Sequence, residues 1–277
     1  MKQSINIKGT LMHFDTPKVM GILNVTPDSF SDGGKYDTTE AAVNQALQML
    51  KDGTDILDIG GYSSRPGADE VSIQQELDRV VPVIKELVRH TDAILSVDSF
   101  RSEVAKQAVA AGAHIVNDIS AGEDDEAMLN TVAELGVPYI AMHKQGTPKT
   151  MQHDPRYANV VGDVLAYLSA KKEECMAAGI QDIMLDPGFG FGKTEQHNYE
   201  LLKNFEAFQA LGVPLLAGVS RKSMIYKLLG IMPQEAVNGT TFLHAFALQG
   251  GAAILRVHDV KEAKECIELY ARIAGLE

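Results

Sequence analysis

The sequence predicts an α/β protein, a (β/α)8 TIM barrel over residues 1–277 as one domain, with a short N-terminal β-hairpin ahead of the barrel. Three observations carry that expectation. Short runs that are apolar on both faces alternate with longer amphipathic stretches, there are eight such pairs, and nearly every run ends in a polar residue. Runs of the first kind suit parallel strands covered by helices. Eight strand–helix pairs imply a closed barrel or a large doubly wound sheet. No glycine-rich dinucleotide turn follows the first run, which favours the barrel, and barrels of about 250 residues fold as one domain.

The elements follow in order. SINIKGTLMHF alternates around Gly9 and predicts the hairpin. The eight strand runs are VMGILNV from Val19, DILDIGG from Asp55, AILSVDS from Ala93, HIVNDIS from His114, PYIAMHK from Pro138, IMLDPGF from Ile183, PLLAGVS from Pro214 and AAILRVH from Ala252. After the first, Val43, Ala46, Leu47 and Leu50 recur at helical spacing, and Gly53 supplies a stop. On the last helix Ala263, Cys266, Ile267, Tyr270 and Ile273 form a stripe, with Asp259 and Glu262 reading as its N-terminal cap.

Composition bounds the function. The chain is 45% hydrophobic and 22% charged, an ordinary globular balance. A net charge of -12 argues against nucleic acid as a partner, so an anionic substrate must be met by a few local cations and backbone donors. Cys175 and Cys266 lie far apart and read as two free core thiols in a reducing cytosol. The first residues lack a signal-peptide core, and no run approaches ~18 apolar residues, so a cytoplasmic protein with no membrane partner is expected.

The polar residues fall at the C-terminal ends of the runs: Asn24, Ser64 with Arg65, Asp98, Asn117, His143, Asp186, Ser220 with Lys222, and Arg256 with His258. A cap or strand-end hydrogen bond would account for any one alone. Together, on the rim where barrel active sites sit, they read as an active site. Asp98, Asn117 and Asp186 suit a flat, nitrogen-rich ring, since carboxylates accept from ring N–H and amino groups while an amide both donates and accepts. Arg65, Lys222, Arg256 and His258 can hold a polyanion, and Asn24 offers an oxygen to a hard metal such as Mg2+.

Two turn-rich segments, NVTPDSFSDGG from Asn24 and YSSRPGADE from Tyr62, read as surface turns or as loops over the site. DPGFGFGK, from Asp186 to Lys193, lacks the spacing of a nucleotide phosphate loop. Its glycines suit a close backbone approach to a flat ligand, with Phe189 or Phe191 nearby, or equally a turn with one core phenylalanine. SRKSM, from Ser220, places a helix start after a strand, where free N–H groups can meet a carboxylate. His143 reads as structural, and His13, His90, His114, His153 and His244 form no constellation. No zinc-ligand motif or nucleophile elbow is present.

MGILNVTPDSFSDGG, SSRPG, SVDSF, IVNDISAG, LDPGFGFGKT, GVSRKSM and ILRVHDV occur in this order, from about Met20 to Val260. Together they resemble the dihydropteroate synthases. The resemblance implies a barrel, usually homodimeric, that joins dihydropterin pyrophosphate to p-aminobenzoate in folate biosynthesis, with Mg2+ as cofactor, and is the target of sulfonamides. It carries Asp98, Asn117, Asp186 and Lys222 to the pterin, and Asn24, Arg256 and His258 to the pyrophosphate, with Asn24 on the metal. Phe30, Ser64, Arg65, Pro66 and Ser223 go to the p-aminobenzoate, and Asp32, Arg65 and Lys222 to catalysis. The chain departs from the family pattern at Tyr62-Ser63-Ser64, where Ser64 stands for the usual Thr and Tyr62 for a small or acidic residue. A methyltetrahydrofolate-type methyltransferase would share the pterin residues but has no use for NVTPDSFSDGG or the RVH triplet. A catalytically dead pterin-binding protein would not need the full residue set.

Overall fold

The computed structural model describes residues 3–26, 35–62, 71–146, 151 and 154–276. The chain opens with strands β1 (Ser4–Ile7) and β2 (Thr10–His13), an antiparallel pair turning through Lys8 and Gly9 at φ 50° and 86°. Two consecutive residues with positive φ suit the tightest hairpin turns, and glycine adopts the second at little cost. Strands and helices then alternate: β3 (Lys18–Asn24), α1 (Lys35–Lys51), β4 (Ile56–Gly60), α2 (Ile73–His90), β5 (Ile94–Asp98), α3 (Ser102–Ala111), β6 (Ile115–Asp118) and α4 (Met128–Leu135). The second half continues with β7 (Tyr139–Met142), α5 (Val160–Ala178), β8 (Ile183–Asp186), α6 (Glu195–Lys203), β9 (Leu216–Ala217), α7 (Ser223–Leu229), α8 (Val237–Gln249), β10 (Ile254–Val257) and α9 (Val260–Ala274).

The eight later strands form one parallel sheet in the order β8-β7-β6-β5-β4-β3-β10-β9, and a parallel bridge between Leu185 and Leu215 joins its two edges. This is the barrel the sequence predicts, preceded by the predicted hairpin. Alternation along each strand separates two cores. Outward side chains such as Leu57, Val97, Leu185 and Leu255 pack under the helices. Inward ones, Met20, Ile56, Ile115, Ile140, Met184, Leu216 and Ile254, fill the barrel floor together with Ile5 and Ile7 of the hairpin. Each such burial contributes roughly 1.5–3 kcal/mol. Asp182 Oδ1 accepts from Asn6 N at 2.9 Å and ties the hairpin to the N-terminal end of the barrel. The floor is therefore shut, and a ligand must enter at the strands' C-terminal ends.

Local signals explain the helix boundaries. Ser72 caps α2 in a reciprocal box with Gln75, Asn159 caps α5, and α1 stops before Gly53, whose φ is 100°. Cys175 and Cys266 are free and buried. Two expectations for α9 fail. Asp259 makes no side-chain cap; its carboxylate instead accepts from Arg221 Nε at 2.9 Å, a charged partner that outcompetes a backbone N–H. Ile273 is 86% exposed, so the buried stripe ends a turn earlier.

Candidate active site

Above the apolar floor the inward positions turn polar. The register sets Asn24 beside Gly60, Gly60 beside Asp98, and Asp98 beside Asn117. Gly60 keeps this corner open: a Cβ there would lie 3.6 Å from Asp98 Oδ2 and 3.8 Å from Asn24 Oδ1. Across the mouth, Arg256 of β10 reaches back over the barrel. Its Nε donates to Asp58 Oδ2 at 2.7 Å and its Nη2 to Asp98 Oδ2 at 2.5 Å. Asn117 Nδ2 also donates to Asp58 Oδ2, at 2.9 Å.

The electrostatics follow from crowding charges in a largely buried mouth. Burial pushes the Asp98 carboxyl up to about 7, against the pull of Arg256, and the neighbouring carboxylates of Asp58, Glu76 and Asp118 add to the rise. Burial likewise raises Asp186, moderated by the Gly188 N–H and by the cations of Lys222, Lys193 and Arg256. Lys222 is lowered to about 8 by burial and by Arg256, with Asp186 and Asp98 opposing. Burial alone would lower Arg256, but the Asp58 and Asp98 carboxylates hold it above its ordinary value, so it stays charged.

Much of the segment from Asp186 to Lys193 is folded against the protein itself. Gly188 N donates to Asp186 Oδ1 at 2.7 Å, and Gly190 N to Asn198 Oδ1 at 2.7 Å. Lys193 is 2% exposed; its ammonium donates to Gly188 O at 2.8 Å and Phe191 O at 3.1 Å and meets His143 Nδ1 at 2.9 Å. Gly188 and Gly192 are required by close approach to residues 143–145, since a Cβ would come within 1.9 Å of His143 O or 2.3 Å of Gln145 O. The backbone those two glycines accommodate is the protein's own. Phe189 stacks on Phe205 in the outer core, whereas Phe191 lies under Lys222, whose Nζ is 4.2 Å from the ring centroid. His143 is structural: burial and Lys193 depress it to about 3, and its ring meets Tyr167 edge-on at 4.7 Å.

On the last strands, His258 Nδ1 lies 3.1 Å from Ser220 Oγ, which also accepts from His258 N. Ser223 directly follows Lys222 as the first residue of α7. Tyr62, whose identity departs from the family pattern, meets the Phe100 ring edge-on at 5.3 Å, with the Arg101 guanidinium 5.7 Å from its centroid. Arg101 also donates to the buried Glu76 and to Val71 O, both at 2.6 Å, so Tyr62 belongs to a packed cluster at the barrel rim.

The structure thus gathers Asn24, Asp98, Asn117, Asp186, Lys222, Arg256 and His258 at the strands' C-terminal ends. Phe30, Asp32, Ser64, Arg65 and Pro66 lie outside the described residues. Two further residues at the site, Asp58 and Lys193, carry little signal in the sequence. Asp58 sits inside the apolar run DILDIGG, and the only signal was a carboxylate that a strand covered on both faces could not solvate. Lys193 was visible only as the end of a glycine-rich turn. Among the described residues no group of three His, Cys, Asp or Glu side chains could hold a metal.

Comparison with known proteins shows the family and the fold. Residues 20–258 match the family model described as pterin binding enzyme. The dihydropteroate synthase of Escherichia coli (strain K12) is 46% identical over 264 residues, covering 95% of this chain and 93% of that one. The Yersinia pestis dihydropteroate synthase, solved as a sulfonamide drug complex, superposes with a TM-score of 0.93 at 44% identity, covering 98% and 99% of the two chains. That of Xanthomonas albilineans with 4-aminobenzoic acid gives 0.93 at 43% identity and 99% coverage of both. With a family model over most of its length and relatives this similar end to end, the chain belongs to the dihydropteroate synthases of the pterin-binding enzyme family.

Proposed function

We propose that the chain performs the synthase reaction of its family through a dissociative displacement: 7,8-dihydropterin-6-ylmethyl diphosphate and p-aminobenzoate give 7,8-dihydropteroate and pyrophosphate. The observation that carries this reading is the pairing, in one barrel mouth, of ring-recognising groups with cations. Asp98, Asn117 and Asp186 suit the amino and N–H edge of a pterin, with Lys222 beside them. Asn24, Arg256 and His258 suit the pyrophosphate. The relative that binds 4-aminobenzoic acid supports the second substrate.

The chemistry asks little of a base. As the C–O bond to pyrophosphate lengthens, the electron-rich ring spreads positive charge, and the Arg256 cation offsets the charge growing on the leaving group. A neutral arylamine then attacks a centre that needs little nucleophilic push. Its carboxylate falls to the Ser223 end of α7 and to Phe30, Ser64, Arg65 and Pro66; with Asp32, these last four lie outside the described residues. Mg2+ is the expected cofactor. The donor chemistry at Gly60 fits an ion held mainly by water and phosphate oxygens: one amide oxygen, Asn24 Oδ1, stands next to one carboxylate, Asp98. Bound there, Mg2+ would neutralise charge on departing pyrophosphate.

The test is a series of ring-substituted aminobenzoates of differing amine basicity. The dissociative reading predicts a rate almost independent of basicity, and a steep dependence would replace it with direct displacement. A cytoplasmic homodimer is part of the same proposal. Leu228, Leu229, Met232, Phe242 and Phe246 leave α7, α8 and their connection apolar and exposed, a face suited to a second copy. No helix among the described residues is long and apolar enough to cross a membrane.

A further inference from the structure

We propose that Asp58 is a positioning residue that ties the pterin and pyrophosphate parts of the site to one buried carboxylate oxygen; this rests on the assignments of Arg256 and Asn117 made above. Asp58 lies one inward step below Gly60 on β4 and is 0% exposed. Its side chain is closed off from solvent, and its Oδ1 has no hydrogen-bond partner among the described residues. Yet its Oδ2 accepts from two residues 59 and 198 positions away in sequence, Asn117 at 2.9 Å and Arg256 at 2.7 Å. The first of these is a pterin residue, the second a pyrophosphate residue.

The two bonds have different consequences. With its Nδ2 turned to Asp58, Asn117 keeps Oδ1 as the acceptor it offers a ring, and the alternative amide flip would set its oxygen against the carboxylate. Arg256 divides itself between Asp58 and Asp98. The Asp98 side chain is 17% exposed and faces the mouth, so a pterin N–H competes with Arg256 for it. Asp58, buried one step below Gly60, remains the arginine's anchor during that exchange. Remove its charge, and Arg256 is left with Asp98 alone, the group the pterin needs. One buried carboxylate would then set the affinity of both ligands, and a pterin that takes Asp98 would release Nη2 for the pyrophosphate. That coupling must be reciprocal.

The experiment uses Asp58→Asn, with calorimetric titration of 6-hydroxymethyl-7,8-dihydropterin and of inorganic pyrophosphate with Mg2+, each alone and with the other present. In the unaltered protein each probe tightens the other. In Asp58→Asn both bind about tenfold or more weaker and the mutual tightening is lost, while the KM for p-aminobenzoate stays within about twofold. A purely structural role would lower thermal stability and move the aminobenzoate KM as well. Because Asp58→Asn leaves Arg256 short of a partner, Arg256→Gln and the double variant are measured beside it; the double variant removes the Asp58–Arg256 pair whole, and the loss of the arginine beside Asp98 is common to it and to Arg256→Gln. Acting through Arg256, Asp58→Asn should change pyrophosphate affinity less than about twofold in the Arg256→Gln background. Wild-type affinities in Asp58→Asn, or a further tenfold loss in the double variant, would overturn the proposal. Wild-type pyrophosphate binding by Arg256→Gln would instead overturn the arginine assignment, and the anchor with it.

Discussion

Gly188→Ala probes how the site is held from behind. Gly188 has φ 70°, and a Cβ there would sit 1.9 Å from His143 O, where ordinary contact begins at 3.4 Å. The left-handed conformation costs an alanine ~1–2 kcal/mol. The clash then forces the 187–192 turn to lift by about 1.5 Å, the difference between those two distances, while Asp186 stays held at the end of β8. That movement breaks the 2.7 Å bond from Gly188 N to Asp186 Oδ1. A hydrogen bond to a charged group contributes about 1.5–3 kcal/mol, so the total loss is about 2.5–5 kcal/mol. Gly9→Ala is the matched control, because its φ is 86° but nothing lies within 4 Å of its Cβ; it bears only the strain. Urea unfolding should therefore separate the two variants by about 1.5–3 kcal/mol. Titration with the pterin probe should show a ~10- to 100-fold loss for Gly188→Ala alone, the equivalent of the weakened Asp186 contact. Equal stability and equal pterin affinity in the two variants would refute the claim that close packing of this segment aims Asp186.

Other expectations follow from the same geometry. Asp186→Asn should lose pterin recognition and Arg256→Ala should weaken the pyrophosphate substrate, each by at least tenfold in kcat/KM; full activity in both would remove the site assignment. The pH profile of kcat/KM should be a narrow bell. Activity rises as Asp98 ionises near 7 and falls as Lys222 loses its proton near 8. Lys222→Arg should push the alkaline limb upward, and an unmoved limb would assign it elsewhere. His244 is 1% exposed, and among the described residues neither ring nitrogen has a hydrogen-bond partner. His244→Leu should raise stability at pH 7 by about 1–2 kcal/mol. Burial depresses His244 to about 4. Its neutral form is therefore at full advantage above the ordinary 6.5, and stability on the order of 3 kcal/mol is lost as pH falls from 6.5 towards 4. The leucine variant should show a flatter acid limb in pH-dependent unfolding. Phe242→Glu should shift the sedimentation of a dimer towards the monomer.

Much of this was legible in the sequence because a barrel writes its function at regular places. Parallel strands covered on both faces must be apolar until they leave the core, so Asp98, Asn117, Asp186 and Arg256 stood out where the runs ended. What escaped notice was whatever sits one layer deeper. Asp58 reads as part of an apolar strand because its partners, Asn117 and Arg256, arrive from far along the chain. Lys193 has the same difficulty: its acceptors include backbone oxygens, which no side-chain motif records. The DPGFGFGK glycines looked available to a ligand, yet two of them exist for backbone packed against residues 143–145. The local spacing of Asp259 predicts a cap, and a distant arginine claims its carboxylate instead. Tyr62 gains a reason only from its neighbours Phe100 and Arg101.

A leaving-group reaction drawn to completion by an arylamine, in a barrel mouth suited to both pterin and pyrophosphate, makes pyrophosphate release depend on aminobenzoate. The most direct test is pyrophosphate release from 7,8-dihydropterin-6-ylmethyl diphosphate in the presence of Mg2+, with and without p-aminobenzoate. Sustained release that depends on aminobenzoate, matched mole for mole by 7,8-dihydropteroate, is the predicted result. No aminobenzoate-dependent turnover would contradict it.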